Sequence, residues 1–172
     1  KLDYRLNPEH PPLAKITGTL PLQFLGLSQD AFNTNHWLNK VNGQWDFGRQ
    51  LIFVTDNHAD LITKSVRLFM LVFFILSAWL LCNWTIARYG KFAAILALTL
   101  FSFSPTILAH ARFVTTDIAA LFGVLFATYY FLQYLENPNK KKLWIAGTIF
   151  GIAQLTKFSL ILLIPYFIIL TF

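Results

Sequence analysis

The stretch VRLFMLVFFILSAWLLCNWTIA, residues 66–87, decides the fold class of this chain. About 20 predominantly apolar residues are enough for one α-helix to cross the hydrocarbon core of a bilayer. Three more apolar tracts follow, at residues 92–110, 118–135 and 143–172. The pattern predicts an all-α, polytopic transmembrane protein, and it disfavours the alternative of core helices buried in a large soluble protein.

The composition supports the same class, with 56% hydrophobic, 17% aromatic and only 13% charged residues. Residues 1–64 carry six basic and six acidic side chains, whereas residues 65–172 carry eight basic and two acidic ones. The positive excess therefore lies at the ends of, or within, the apolar tracts. A nucleic-acid-binding protein would instead need a solvated basic face, so we expect no nucleic acid partner.

The chain divides into an extracytoplasmic loop with short interfacial helices, residues 1–64, and a transmembrane region, residues 65–172. The last apolar tract is too long for one simple crossing. Lys157 and Pro165 interrupt it, so we expect a break near Lys157. The predicted helices are residues 66–87, 92–110, 118–135, 143–156 and 158–172.

Orientation follows from two short basic connections, residues 88–91 and 137–142, which two predicted crossings separate. Basic residues close to the ends of transmembrane helices are retained in the cytoplasm. The loop of residues 1–64, the turn of residues 109–117 and the break at Lys157 then share the opposite side. We expect an integral protein of the plasma (inner) membrane whose polar candidates face away from the cytoplasm.

The first candidate site is Asn7-Pro-Glu-His-Pro-Pro-Leu-Ala-Lys15. Adjacent prolines fix two φ angles and remove two backbone donors, so Glu9 and His10 are held on a stiff, extended segment. Such a segment suits a preorganised site at the membrane surface. The alternative is a proline-capped start of a short helix near Leu13.

The second candidate site is His110-Ala-Arg-Phe-Val-Thr-Thr-Asp117, between two predicted spans where charged groups are costly and are usually functional. Arg112 and Asp117 could instead pair with each other, or Asp117 could favour the start of a helix. Lys157 has two interpretations as well. It either snorkels to the membrane surface or reaches an anionic headgroup or phosphate.

These motifs resemble those of the membrane glycosyltransferases with the GT-C fold, the superfamily of protein O-mannosyltransferases and aminoarabinose transferases. The resemblance covers nearly the whole chain: residues 5–15 are similar to the first outer loop, residues 104–117 to the second, and residues 151–158 to a Leu-Thr-Lys helix break. It implies inverting transfer of a sugar from a polyprenyl-phosphate carrier to an acceptor protein or glycolipid. The lipid bilayer and the lipid-linked sugar are the expected partners.

The chemistry of such a transfer, which needs a carboxylate for the acceptor proton and cations for the departing phosphate, suggests roles for individual residues. Glu9, His10 and Asp117 are the catalytic candidates, and Arg112, Lys157 and His10 are the candidates for binding the donor phosphate. The superfamily varies in metal use, so a divalent cation is allowed but not required, with Glu9 as the candidate ligand.

The superfamily's acidic pair, commonly Asp-Glu, would precede Lys1, and Asp3 lacks the acidic neighbour needed to replace it. We therefore expect a piece of a longer protein that is inactive by itself. The alternatives are a noncatalytic membrane subunit and a lipid or solute transporter lined by Arg112, Asp117 and Lys157.

Overall fold

The computed structural model describes residues 5–172, and within them the regular structure is helical, with no strand. Short 3₁₀ or π turns connect several of the α-helices. The α-helices are α1 (Pro12–Thr19), α2 (Asn35–Leu38), α3 (Gln44–Arg49), α4 (Ala59–Ser102), α5 (Pro105–Ala111), α6 (Thr116–Glu136), α7 (Lys140–Gln154) and α8 (Leu163–Leu170).

Two helices, α4 and α6, are long and apolar enough to cross a membrane, and Phe158–Leu170 forms a shorter apolar helical segment. The prediction of an all-α fold with membrane-spanning helices is confirmed. The helix limits differ in places from the predicted ones, and the reasons are local.

Helix α4 is a hairpin of two arms, residues 59–89 and 91–102, because Gly90 has non-helical backbone angles of φ 85° and ψ 176°. Only glycine adopts such a φ at little cost. The rings of Phe74 and Phe101 lie 5.3 Å apart, although a straight helix would separate residues 27 positions apart by about 40 Å. The expected loop of residues 88–91 is therefore a single tight reversal at Gly90.

The predicted helix of residues 92–110 is divided in two by the structure. The second arm of α4 ends at Ser102, and α5 begins at Pro105. Ser104 caps α5, since its Oγ accepts a hydrogen bond from the backbone N–H of Ile107 at 3.5 Å, and Pro105 occupies the first helical position. A serine cap followed by proline is a strong helix start, and it redirects the chain at this point.

Arg88 and Glu136 form an ion pair, so the Gly90 reversal and the C-terminus of α6 lie at the same end of the bundle. At the other end, α5 leads into α6, and the break after α7 lies beside them. The chain thus has a basic end, which contains Arg88 and the start of α7, and an opposite end with the polar motifs.

Small residues allow α6 to pack closely on α7. Ala119, Gly123 and Ala127 recur every fourth residue on α6 and are buried, and Ala146 and Ala153 are buried on α7. Small residues at this spacing let helix backbones approach each other in membrane proteins. The packing brings the C-terminal end of α7 against the N-terminal half of α6.

Within residues 5–58, the chain around Phe32, Trp37 and Phe47 forms a small module with an aromatic core, whose ring centroids lie 4.9–5.5 Å apart. Beside it, Lys40 Nζ donates to Asp46 Oδ2 at 2.5 Å. This hydrogen bond and the charge of Lys40 lower the pKa of Asp46 below its usual range. The short helices expected here are present, and their placement in the membrane interface stays a prediction.

Candidate functional site

Asp117 is the centre of a polar cluster at the end of the bundle opposite Arg88. Its Oδ1 accepts a hydrogen bond from Lys157 Nζ at 2.8 Å, and its Oδ2 lies 3.4 Å from His110 Nδ1. The three residues come from the start of α6, the break after α7 and the end of α5. Their side chains are 31–44% exposed, so a ligand can reach the cluster.

An interruption of the helical structure after α7 places Lys157 in this cluster. Helix α7 ends at Gln154, and Lys157 is extended, with φ −157° and ψ 140°. The hydroxyl of the fully buried Thr156 donates to the carbonyl of Ala153 at 2.7 Å, and Gln154 Nε2 donates to the carbonyl of Leu160 at 3.0 Å. These bonds satisfy polar groups that the broken helix exposes, so the break is a defined structure.

The proline-rich segment docks on the same break. The backbone N–H of Leu13 donates to the carbonyl of Leu155 at 3.0 Å. Ala14, on the first turn of α1, packs in one buried cluster with Ala111 of α5 and Ala119 of α6. The start of α1 therefore lies against the elements that carry His110, Asp117 and Lys157.

Lys15 holds the proline-rich segment in its extended shape. Its ammonium donates to the carbonyl of Asn7 at 2.7 Å, to Asn7 Oδ1 at 3.0 Å and to the carbonyl of His10 at 2.6 Å. An ammonium has three N–H donors, so all are used. Burial lowers the pKa of Lys15, and the negative charge of Glu9 partly offsets this effect. Lys15 is thus a structural residue of the segment.

We expect Lys15→Met to loosen residues 7–12 without unfolding the bundle. The substitution removes three hydrogen bonds from a half-buried position, where water can replace part of them, so the local cost is about 1 kcal/mol. Exchange of the Leu13 amide, which is hydrogen-bonded to Leu155 at the end of this segment, should become about fivefold faster. Lys40→Met, which removes the same charge beside the aromatic core, should leave exchange at Leu13 unchanged; equal acceleration by both would contradict the assignment.

Glu9 and His10 are exposed, and the structure does not bring them into direct contact with the Asp117 cluster. Glu9 Oε1 accepts a hydrogen bond from Asn42 Nδ2 at 3.2 Å, and the N–H of Asn42 donates to the carbonyl of Arg5 at 2.7 Å. Asn42 was missed by the sequence analysis, and its left-handed φ of 59° gives no sequence signal beyond that of an ordinary turn.

Arg112 lies away from Asp117, so the alternative in which these two residues pair is wrong. The guanidinium of Arg112 lies over the ring of Phe113, 5.6 Å from its centroid, and Arg67 of α4 lies 5.5 Å from the same centroid. Within residues 5–172 neither guanidinium has a carboxylate at ion-pair distance. Arg67 was missed by the sequence analysis, although a basic residue inside an apolar tract is itself a signal.

An apolar cavity of about 670 Å³ opens between α6, the chain after the break, and Trp84 of α4. Lys157 contributes to its lining, and most of the other lining side chains are aliphatic. Thr128 also lines it, with a buried hydroxyl that has no hydrogen-bond partner in the described chain. The cavity therefore combines a lipid-like interior with one cation.

The described residues do not provide a ready ligand set for a divalent cation. Such cations take several oxygen ligands. Within residues 5–172 no group of three or more His, Cys, Asp or Glu side chains could hold a metal ion, and the described partner of Glu9 is the amide donor Asn42. A role for Glu9 in metal binding remains a prediction.

The fold and the site together define a membrane-embedded helical protein with a charged cluster and an apolar cavity that meet at Lys157. The chain belongs to the dolichyl-phosphate-mannose-protein mannosyltransferase family, whose sequence model matches residues 60–172. Membership makes the chain part of an integral membrane family and implies a glycosyltransferase activity with a polyprenyl-phosphate sugar donor. Comparisons with curated proteins and with solved structures found no match.

The family match includes Arg112, Asp117 and Lys157 but begins after the proline-rich segment. The predicted roles of Glu9 and His10 therefore depend on the resemblance of residues 5–15 and on their docking beside the break.

Proposed function

We propose that this protein transfers a sugar from a polyprenyl-phosphate carrier to an acceptor hydroxyl of a protein or glycolipid, with inversion, on the extracytoplasmic side of the membrane. The proposal rests on the position of Lys157, which lines the apolar cavity and also contacts Asp117. A lipid phosphate needs this combination, because its tail requires an apolar surface and its headgroup requires a cation.

The reaction breaks the bond between the anomeric carbon and the phosphate oxygen, and the electron pair leaves with the lipid phosphate. The acceptor oxygen forms the new bond to the opposite face of that carbon, and its proton passes to a carboxylate base. Negative charge grows on the departing phosphate in the transition state. Preorganised cations at that position lower the barrier more than cations that must reorient.

Lys157 is the proposed primary phosphate ligand, and Asp117 is the residue that positions it. Arg112 contributes a planar guanidinium that can bind two phosphate oxygens, once its side chain turns from Phe113 toward the donor. His10 is a further phosphate candidate on the docked segment. The ion pair with Asp117 holds the Lys157 ammonium in position before the donor binds.

Glu9 is proposed to orient the acceptor. Asn42 occupies one of its carboxylate oxygens, and the side chain is exposed at the surface of the outer module. The remaining oxygen can accept a hydrogen bond from an acceptor hydroxyl. Acceptor binding is thus proposed at the module that carries Asn42, and donor binding at the bundle.

The charge at the two ends of the bundle supports the extracytoplasmic placement of the site. Arg88, Lys91 and the lysines at residues 140–142 lie at the end opposite the cluster. Retention of such residues in the cytoplasm would put Asp117 and Lys157 outside. Cysteine labelling with a membrane-impermeant reagent, at Thr106 for the outer end and Asn139 for the inner end, would test this orientation.

The function is tested with the protein from its complete reading frame in lipid vesicles, supplied with radiolabelled mannosyl-polyprenyl phosphate or GDP-mannose. We expect label to move to acceptor from the lipid donor and not from the nucleotide donor. Arg112→Ala and Glu9→Ala should each lower turnover at least about tenfold, the effect of losing one charge-assisted contact. No transfer from any lipid-linked sugar would refute the function, and full turnover in both variants would refute the residue roles.

A further inference from the structure

Another cavity, of about 330 Å³ and with polar residues in its lining, lies at the basic end of the bundle, far from the proposed active site. It is formed between the last turns of α6 and the first turns of α7. Tyr129 and Tyr130 provide aromatic walls, with ring centroids 5.0 Å apart, and Lys141 and Lys142 provide positive charge. The proposed transfer reaction uses none of these residues.

The turn between α6 and α7 fixes one of the two lysines. Asn139 Oδ1 accepts a hydrogen bond from the backbone N–H of Lys142 at 2.8 Å, and Lys142 Nζ donates to the carbonyl of Gln133 at 3.0 Å. An ammonium has three donors, so Lys142 keeps two without a partner in the described chain. Its charged group is therefore held beside the cavity by a contact that does not neutralise it.

The charge at this position has no counterion among residues 5–172. The lysines at residues 140–142 form no ion pair there, and the nearby acid, Glu136, pairs with Arg88 of α4. Three ammonium groups in the first turn of a helix also oppose the helix dipole, which is positive at that end. The cluster is therefore stabilised when an external anion neutralises it.

The depth of the cavity in the membrane is indicated by Trp144, one turn into α7. Its side chain is 76% exposed, and Leu143 beside it is 51% exposed. Tryptophan is enriched where the hydrocarbon core meets the headgroups. The cavity opening thus lies at the level where lipid phosphates are found.

We propose that this cavity binds the headgroup of an anionic phospholipid of the surrounding leaflet, with the lipid phosphate between Lys141 and Lys142. Basic pockets between transmembrane helices are suited to such headgroups, because the charge is local and the lipid tails remain in the bilayer. The tyrosine hydroxyls and Asn139 supply polar groups that can hydrogen-bond a polar headgroup.

The test compares two neighbouring lysines that differ in one respect. Lys140 and Lys141 are both exposed and have no described side-chain partner, but only Lys141 lines the cavity. Neither substitution breaks an internal contact, so both variants should fold. Binding of phosphatidylglycerol and phosphatidylcholine to the detergent-solubilised protein from its complete reading frame is measured by native mass spectrometry.

Phosphatidylglycerol should bind in preference to phosphatidylcholine, and Lys141→Gln should weaken its binding about tenfold, while Lys140→Gln changes it less than twofold. Equal loss in both variants would show diffuse attraction and overturn the site. Equal binding of the two lipids would also overturn it. Displacement of the lipid by millimolar inorganic phosphate would assign the pocket to a free anion and overturn the lipid assignment.

Discussion

Lys157→Gln is expected to lower sugar transfer by at least about 100-fold, the magnitude found when a preorganised charge-stabilising group is removed from an active site. The substitution removes the cation at the cavity. It also removes the ammonium that pairs with Asp117 at 2.8 Å, so the Asp117 carboxylate then lies near the incoming lipid phosphate without that lysine. Turnover of mannosyl-polyprenyl phosphate in vesicles measures the effect.

Lys64→Gln is the matched control for this prediction. Lys64 also pairs with an aspartate, Asp60, at 3.2 Å, but its side chain is 75% exposed and lies outside the site. Exposed ion pairs contribute little to stability, so turnover should change less than twofold. Wild-type turnover in Lys157→Gln would contradict the proposed donor site.

The double variant Lys157→Gln/Asp117→Asn separates positioning from direct catalysis. If Asp117 acts only by holding Lys157, the double variant should be no slower than Lys157→Gln alone, since both changes remove one interaction. A further drop of tenfold or more in the double variant would instead give Asp117 a direct role.

Gly123→Val is expected to separate α6 from the helix break and to reduce both stability and activity. A Cβ at Gly123 would lie 2.7 Å from Leu160 Cδ2, 3.1 Å from Thr156 Oγ1 and 3.2 Å from Ala153 Cβ. Leu160 and Thr156 are buried and have little room to move. Overpacking of this kind costs about 1–3 kcal/mol, and displacement of the break also moves Lys157 from Asp117.

Gly147→Val provides the comparison, because a Cβ at Gly147 on α7 meets no atom within 4 Å. Its melting temperature and transfer rate should stay near those of the wild type. Gly123→Val should lower both the melting temperature in detergent and the transfer rate. If the two glycine variants behave alike, the close contact at Gly123 does not hold the site together.

Local sequence features predicted much of the fold but not the helix limits near turns. The apolar tracts predicted helices because burial in lipid requires length and hydrophobicity, which are properties of a short segment. The reversal at Gly90 and the new helix at Pro105 depend on backbone angles, which a hydropathy pattern does not specify. As a result, the tract of residues 92–110 contains two helices.

The sequence predicted which residues belong to the candidate site better than it predicted the contacts between them. Asp117 and Lys157 were chosen because charged groups in apolar surroundings are costly, and the structure brings them together with His110. Arg112, chosen by the same argument, lies instead beside Arg67 and Phe113. Lys15 ends the proline-rich stretch in the sequence, and its three hydrogen bonds make it a structural residue of that segment.

The sequence by itself determined that this chain is a helical membrane protein with its polar motifs in separate turns. The hydrophobicity of a tract and the stiffness of a proline-rich segment are properties of the local residues alone. Only the tertiary structure decided which charges meet. Asp117 and Lys157 are 40 positions apart, and their contact depends on the close packing of Gly123 against Thr156 and on the docking of Leu13 at Leu155. Such contacts arise from shape complementarity between helices, which no single segment contains.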